Sequence, residues 1–191
     1  MTGFFRWIRF IFRYLGNPPW DTGTSPPEVL EFIARHSTGK ALDLGCGTGT
    51  NLLALSQAGW DAWGVDYVWS AVKKARTRMK NAGFHPHVQY GDVLNLKGFG
   101  KEFNLILDIG CFHGLSREKK RIYLQNLGRL LKKKGSFLIF AYLQKGNDDF
   151  GFLEEDFQEL NNMFTLIWRK EGLGRRDRPC VWMQFDRTYA L

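Results

Sequence analysis

The sequence predicts an α/β fold, a parallel sheet with helices on both faces, and two observations predict it. Apolar strand patterns and amphipathic helix patterns alternate from residue 41 to residue 142, as they do in chains of βαβ units. The first of these units carries a glycine turn at its strand-to-helix junction, where Ala41–Asn51 reads A-L-D-L-G-C-G-T-G-T-N. With 191 residues, 44% of them hydrophobic and 15% aromatic, the chain suffices for one domain with a sizeable core and is not of the disordered class. A net charge of +8 and a pI near 9.5 favour anionic partners or surfaces but fix no chemistry. Three cysteines without C-x-x-C spacing argue against a disulfide scaffold and a structural zinc site. Reduced thiols, a cytoplasmic setting and no metal are therefore expected. No apolar run approaches the ~20 residues that cross a bilayer.

Two parts are expected: residues 1–24, an aromatic and basic helix with a proline-rich loop, and a single domain over 25–191. In residues 4–15, Arg6, Arg9 and Arg13 fall at i, i+3 and i+7 of an otherwise aromatic segment, so a helix there carries one basic stripe. Arginines interrupt the apolar stretch and no small-residue cleavage site follows, which excludes a signal peptide. The segment suits a helix docked on the domain, with a lid over the site as a special case. It also suits a membrane-surface helix or a partner-binding helix. Docking is favoured, because three arginines make a thin polar face for a membrane surface. Pro18, Pro19 and Gly23 punctuate the loop that follows, where Trp20 and Asp21 either cover a ligand or simply plug the surface. Ser25-Pro-Pro-Glu28 then reads as a capping box with Ser25 as N-cap, opening a helix to about His36.

At Gly45, Gly47 and Gly49 the backbone is free to take φ > 0 and to approach a ligand closely. The helix beginning near Asn51 turns its free N–H groups toward any anionic group placed there. The spacing is D-x-G-x-G-x-G; the third glycine of a dinucleotide G-x-G-x-x-G falls on Thr50. An acidic residue two places before the first glycine, Asp43, is at home in S-adenosylmethionine sites. The next strand runs from Trp60 to Asp66, a carboxylate 21 residues after Gly45, whose two oxygens can accept both hydroxyls of a ribose.

Ser70 to Ala82 reads as a basic helix with Ala71, Val72, Ala75 and Met79 inward and a solvated lysine and arginine face. His87 to Asp92 is a third strand and Phe103 to Ile109 a fourth, followed by the loop Gly110-Cys-Phe-His-Gly-Leu. Ser116 caps a helix to about Leu131, which Lys132-Lys-Lys-Gly135 ends with a glycine stop. Residues 135–142 form the fifth strand, 152–162 an acidic-started helix, and 164–170 and 181–187 the last two strands.

Together, Pro19-Trp-Asp-Thr-Gly, the Ala41–Gly49 loop, Gly64-Val-Asp66, Gly91-Asp92 and Asp108-Ile-Gly-Cys-Phe-His-Gly114 resemble the class I S-adenosylmethionine-dependent methyltransferases. More narrowly, the chain looks like the small-molecule branch that includes thiopurine and tellurite-resistance-type enzymes. The resemblance runs from Pro19 to Arg187 and leaves out residues 1–15. It implies a Rossmann-like, doubly wound sheet of seven strands, mostly parallel, with a C-terminal antiparallel hairpin. It also implies a cofactor, S-adenosylmethionine. Asp43 and the loop of Gly45, Cys46, Gly47, Thr48 and Gly49, with Asn51, would hold its methionine end. Asp66 and Tyr67 would meet the ribose, Asp92 and Val93 the adenine. Asp108 and Ile109 would close the cleft, and Trp20 would cover it.

The methyl group of a sulfonium is already activated, so the enzyme's work is to align an acceptor for in-line attack and to exclude water. His113 is the candidate base for an acceptor that must lose a proton, with a backbone-bonded loop histidine as the alternative. Cys46 and Cys111 either edge the pocket or are small core residues. The fourth-strand loop has neither the Asn/Asp-Pro-Pro-aromatic run of base amino-methylation nor the Pro-Cys of cytosine C5 enzymes. The expected partner is a small-molecule acceptor, a thiol, chalcogen oxyanion or heterocycle, and not a nucleic acid. Two other classes stay open: an NAD-dependent oxidoreductase, and a methyltransferase-like binding module acting through the amphipathic N-terminus.

Overall fold

The computed structural model describes residues 21–100, 103–146 and 150–188. The helix expected over residues 4–15 and Trp20 lie outside the described residues. In chain order the elements are α1 (Pro27–Arg35), β1 (Lys40–Leu44), α2 (Thr50–Gln57), β2 (Asp61–Asp66), α3 (Trp69–Asn81) and β3 (His87–Tyr90). They continue with β4 (Phe103–Ile109), α4 (Arg117–Leu130), β5 (Leu131–Tyr142), α5 (Glu154–Met163), β6 (Thr165–Leu173) and β7 (Pro179–Asp186). The seven strands form one sheet in the order β3-β2-β1-β4-β5-β7-β6. Strands β1 to β5 pair in parallel, while β7 runs antiparallel to both β5 and β6. This is the Rossmann-like sheet with a closing hairpin that the sequence leads one to expect.

Side-chain alternation divides the core into two layers. Ala41, Ala62, Leu105 and Leu107 turn to one face, where Val29 and Phe32 of α1, Leu52 and Leu55 of α2 and Val72, Ala75 and Met79 of α3 cover them. Leu42, Leu44 and Ile106 turn to the other, under Tyr123, Leu124 and Leu127 of α4 and Leu160 of α5. Between β3 and β4 the described residues carry no helix. Val93, Leu96 and Phe99 plug that part of the second face instead. The backbone of this crossover is satisfied from α4. Arg129 donates to the carbonyls of Phe99 and Leu96 at 2.6 and 2.7 Å, and Asn126 to those of Val93 and Leu94 at 3.3 and 3.1 Å.

Local details depart from expectation in three places. Pro26, not Ser25, is the N-cap of α1, and the Ser25 hydroxyl is buried with no hydrogen-bond partner among the described residues, so no capping box forms. After α4 it is Lys134 that takes the left-handed backbone (φ 62), not Gly135. Gly135 serves a close approach: a Cβ there would stand 2.9 Å from the carbonyl oxygens of both Lys132 and Phe103. The basic face of α3 is also only partly solvated. Arg76 donates to the Val88 carbonyl at 3.0 and 2.7 Å, and Arg78 turns toward the glycine loop.

Candidate functional site

The strand order reverses between β1 and β4, and open α/β sheets bind ligands at the carboxyl ends of strands beside such a reversal. The glycine loop leaves β1 there. Gly45, Gly47 and Gly49 have φ of 80°, 54° and 81°, so each uses the conformational freedom that only glycine supplies cheaply. The loop is tied to β2 beside it. Gly45 and Cys46 donate their N–H groups to the Val65 carbonyl at 2.9 and 3.1 Å, and the Gly47 N–H donates to Asp66 Oδ2 at 2.9 Å. Gly64 makes this approach feasible, since a Cβ on it would lie 2.7 Å from Leu52 Cδ1 and 2.8 Å from Cys46 Sγ.

Three buried carboxylates stand at the ends of three neighbouring strands: Asp43 on β1, Asp66 on β2 and Asp108 on β4. Burial, with Asp108 and then Asp66 nearby, pushes Asp43 up to about 8, against a hydrogen bond from Asn51 that lowers it. Among the described residues Asp43 Oδ2 nevertheless has no hydrogen-bond partner, and neither does the buried Oδ1 of Asn51. Burial also raises Asp66, although its oxygens accept from the N–H groups of Val68 (2.8 Å) and Gly47. Asp108 is fully engaged. It accepts the Cys111 N–H at 2.8 Å, the Phe112 N–H at 3.0 Å and the Tyr123 hydroxyl at 2.6 Å, and burial raises it to about 6. Its oxygens thus shape the β4 loop from within, and Ile109 beside it packs partly buried on the first core layer.

Cys111 lies among these acids. Burial first, then Asp108, Asp66, Asp92 and Asp43, pushes its thiol well up, so it stays protonated. A Cβ on Gly45 would stand 3.3 Å from Cys111 Cβ, which puts the glycine loop and the β4 loop in contact. Cys46 is buried under the loop. Tyr67 follows Asp66, and burial together with Asp66, Cys111 and Asp92 raises its hydroxyl. Asp92 is exposed beyond β3 and accepts the Leu94 N–H at 2.9 Å, while Val93 next to it is buried.

His113 belongs to a short 3-10 turn, Phe112–Gly114, and is buried. Its ring meets Tyr142 and Phe150 edge-on at 5.4 and 4.8 Å between centroids. The Tyr142 N–H points to Nδ1 at 3.4 Å, and the Gly151 N–H donates to the His113 carbonyl at 3.0 Å. The histidine therefore ties the β4 loop to the segment after β5. Thr48 is buried and gives its hydroxyl to Asp21. Asp21 and its partners Thr50 and Arg78 come together only in the fold. In the sequence Asp21 stands out only as part of the Pro19-Trp-Asp-Thr-Gly run, and no local spacing links it to Thr48, Thr50 or Arg78.

This end of the sheet combines a glycine loop, three buried acids and two acceptor oxygens that have no donor among the described residues. Such a place favours a ligand that brings positive charge and N–H donors.

Residues 41–135 match the family model described as a methyltransferase domain. Among curated proteins, the chain is 28% identical over 127 residues to a 2-heptyl-1-hydroxyquinolin-4(1H)-one methyltransferase of Mycobacteroides abscessus, covering 65% of this chain and 56% of the relative. It is also 28% identical over 154 residues to EEF1A lysine methyltransferase 2 of Homo sapiens, covering 71% of this chain and 65% of that protein. The chain thus spans somewhat over half the length of these relatives. Among solved structures, N-methyltransferase NodS from Bradyrhizobium japonicum WM9, in complex with S-adenosyl-L-homocysteine, superposes with a TM-score of 0.80 at 17% identity, over 95% of this chain and 98% of that one. That likeness concerns the fold.

Proposed function

Across residues 41–135 the chain belongs to the methyltransferase-domain family, and we propose that it is an S-adenosylmethionine-dependent methyltransferase acting on a small-molecule acceptor. One observation carries this reading: Asp43 Oδ2 and Asn51 Oδ1 are buried acceptors with no donor among the described residues, beside Asp66 and Asp108. An α-ammonium group supplies the missing donors and the missing charge together.

In this reading Asp43 and Asn51 take the ammonium, and the loop of Gly45, Cys46, Gly47, Thr48 and Gly49 cradles the methionine end. Asp66 and Tyr67 take the ribose hydroxyls. Asp92 and Val93 meet the adenine. Ile109 forms the wall, while Asp108 contributes by holding the Cys111 and Phe112 amides in place. The electrostatics argue against the nicotinamide alternative. A pyrophosphate would bring two negative charges to a glycine loop beside Asp66, with the ionised Asp21 at the helix N-terminus.

S-adenosylmethionine supplies a sulfonium-activated methyl group, so the chain's own task is to align the acceptor and keep water out. His113 is our candidate for handling an acceptor proton. With Nδ1 receiving the Tyr142 N–H, the neutral ring carries its proton on Nε2 and donates there; to take a proton from an acceptor, His113 would have to free Nδ1 from Tyr142. An acceptor that arrives as a thiolate or oxyanion needs no base, and such soft acceptors, with electron-rich heterocycles, are the class proposed. The small-heterocycle methyltransferase among the relatives supports the choice. A cytoplasmic setting belongs to the same reading, supported by three free thiols. Among the described residues no helix is long and apolar enough to cross a membrane.

Calorimetry with S-adenosyl-L-homocysteine and with NAD tests the cofactor. Heat with NAD and none with the homocysteine nucleoside overturns the reading. A labelled-methyl screen against thiols, thiopurines, tellurite, selenite, phenols, bulk protein and bulk tRNA tests the acceptor. Labelling confined to protein or tRNA rejects the small-molecule class.

A further inference from the structure

We propose that Asp21 is a positioning residue of the cofactor loop, clamping it through Thr48 and Thr50 on either side of Gly49. The inference rests on the cofactor reading above and assigns a role to a residue outside the glycine motif. Helix α2 starts without local help. Its N-cap is Gly49, no side chain caps it, and its first turn holds no acid. Most helices fill that place from their own sequence. Here a carboxylate 29 residues before Thr50 stands at the helix start and accepts from threonine hydroxyls, not from the helix N–H groups. Thr48 donates its hydroxyl to Asp21 Oδ2, and Thr50 donates to Oδ1 at 3.0 Å. Arg78 of α3 completes the cluster, donating to the Thr50 hydroxyl and standing 3.9 Å from Asp21 Oδ1. The Thr50 hydroxyl thus both gives and receives a hydrogen bond.

Two consequences follow for the site. A loop with three left-handed glycines loses much conformational freedom on ordering. A clamp across Gly49 accepts that cost before any ligand arrives, which leaves more of the contact energy for binding. It also holds the neighbouring Gly47 N–H against Asp66, so the ribose-side carboxylate is positioned through the same cluster. Burial alone would raise the Asp21 carboxyl. The hydrogen bonds from Thr48 and Thr50 and the charge of Arg78 outweigh it and hold Asp21 below the usual carboxylate range, so the clamp stays ionised near neutral pH.

The test uses the full chain with Asp21→Ala, Thr50→Val and Thr50→Ser, read by calorimetry with S-adenosyl-L-homocysteine and by amide exchange over residues 45–53 without ligand. Valine keeps the shape of threonine and drops the hydroxyl; serine keeps the hydroxyl and drops the methyl. Asp21→Ala and Thr50→Val should weaken binding about tenfold or more and speed exchange at Gly47 and Gly49 by a similar factor. Thr50→Ser should stay within about threefold of the parent. A role in filling space reverses the order of valine and serine and overturns the proposal. So does unchanged binding and exchange in both Asp21→Ala and Thr50→Val. If Asp21→Ala does not fold, the Thr50 pair decides alone. A parent chain that binds no S-adenosyl-L-homocysteine defeats the proposed function instead, and the exchange comparison then judges the clamp.

Discussion

The Asn51 side chain hydrogen-bonds the Asp43 carboxyl, yet Asp43 Oδ2 and Asn51 Oδ1 are both buried with no donor among the described residues. Buried acceptors are rarely left so. In the proposed function the pair is half of a recognition site whose other half arrives with the ligand.

The pH dependence of binding follows directly. Burial and the nearby Asp108 and Asp66 place Asp43 at about 8, so in the free chain it is protonated at pH 6. An ammonium group requires the carboxylate, so binding releases a proton. Affinity for S-adenosyl-L-homocysteine should rise by up to about tenfold per pH unit from pH 6 to pH 8 and then level off. Asp43→Asn should bind more weakly at pH 8 and show a nearly flat profile. Calorimetry in buffers of different ionisation enthalpy checks both, and a flat profile in the unaltered chain would count against the assignment.

Stability of the unliganded chain should move the opposite way. Asp43 and Asp108, at about 8 and about 6, lie above the ordinary aspartate value of 3.8. The folded state therefore holds protons that the unfolded state has released. Their contribution is full below pH ~4 and is lost as pH rises through the folded values, at no more than about 1.4 kcal/mol per pH unit for each group. Urea midpoints should fall from pH 5 to pH 8, less steeply in Asp43→Asn, and saturating S-adenosyl-L-homocysteine should restore stability at pH 8.

Asp66 holds the Gly47 and Val68 amides, and the proposed function gives it the ribose hydroxyls as a second task. Asp66→Ala should cost about 1.5–3 kcal/mol of cofactor binding, with a lowered Tm because two buried N–H groups lose their acceptor. Asp66→Asn keeps one acceptor oxygen and should fall between. Undiminished affinity in the alanine variant would place the ribose elsewhere.

Gly64→Ala tests the close approach of β2 to the loop and α2. Its φ is unremarkable, so only space is at issue. The new Cβ would meet Leu52 Cδ1 at 2.7 Å and Cys46 Sγ at 2.8 Å. Overcrowding of this kind costs about 1–3 kcal/mol, and differential scanning calorimetry should show the loss. Gly83→Ala, at a left-handed position (φ 83°) with nothing within 4 Å, should lose stability through backbone strain alone and leave ligand affinity unchanged.

Sequence by itself determined the alternation of strands and helices, the glycine turn at Gly45–Gly49, and the acids at the ends of β1, β2 and β4. These are properties of single segments: a period of two or 3.6 reports which side of an element avoids water, and φ > 0 selects glycine. Tertiary structure alone decided which partners each acid would have. The Asp66 oxygens went to Gly47 and Val68, Asp108 to Tyr123 and its own loop, and Asp21 to Thr48 and Thr50 across 27 and 29 residues. The same holds for Ser25, whose capping pattern was locally correct and went unused, and for Arg78, which left the solvated face of α3 for Asp21. Even the charge on Asp43 depends on the strands beside it, because desolvation and the fields of Asp108 and Asp66 arise only when β1 lies between β2 and β4. Periodicity along one segment carries no record of strand order or register, and those set which side chains meet.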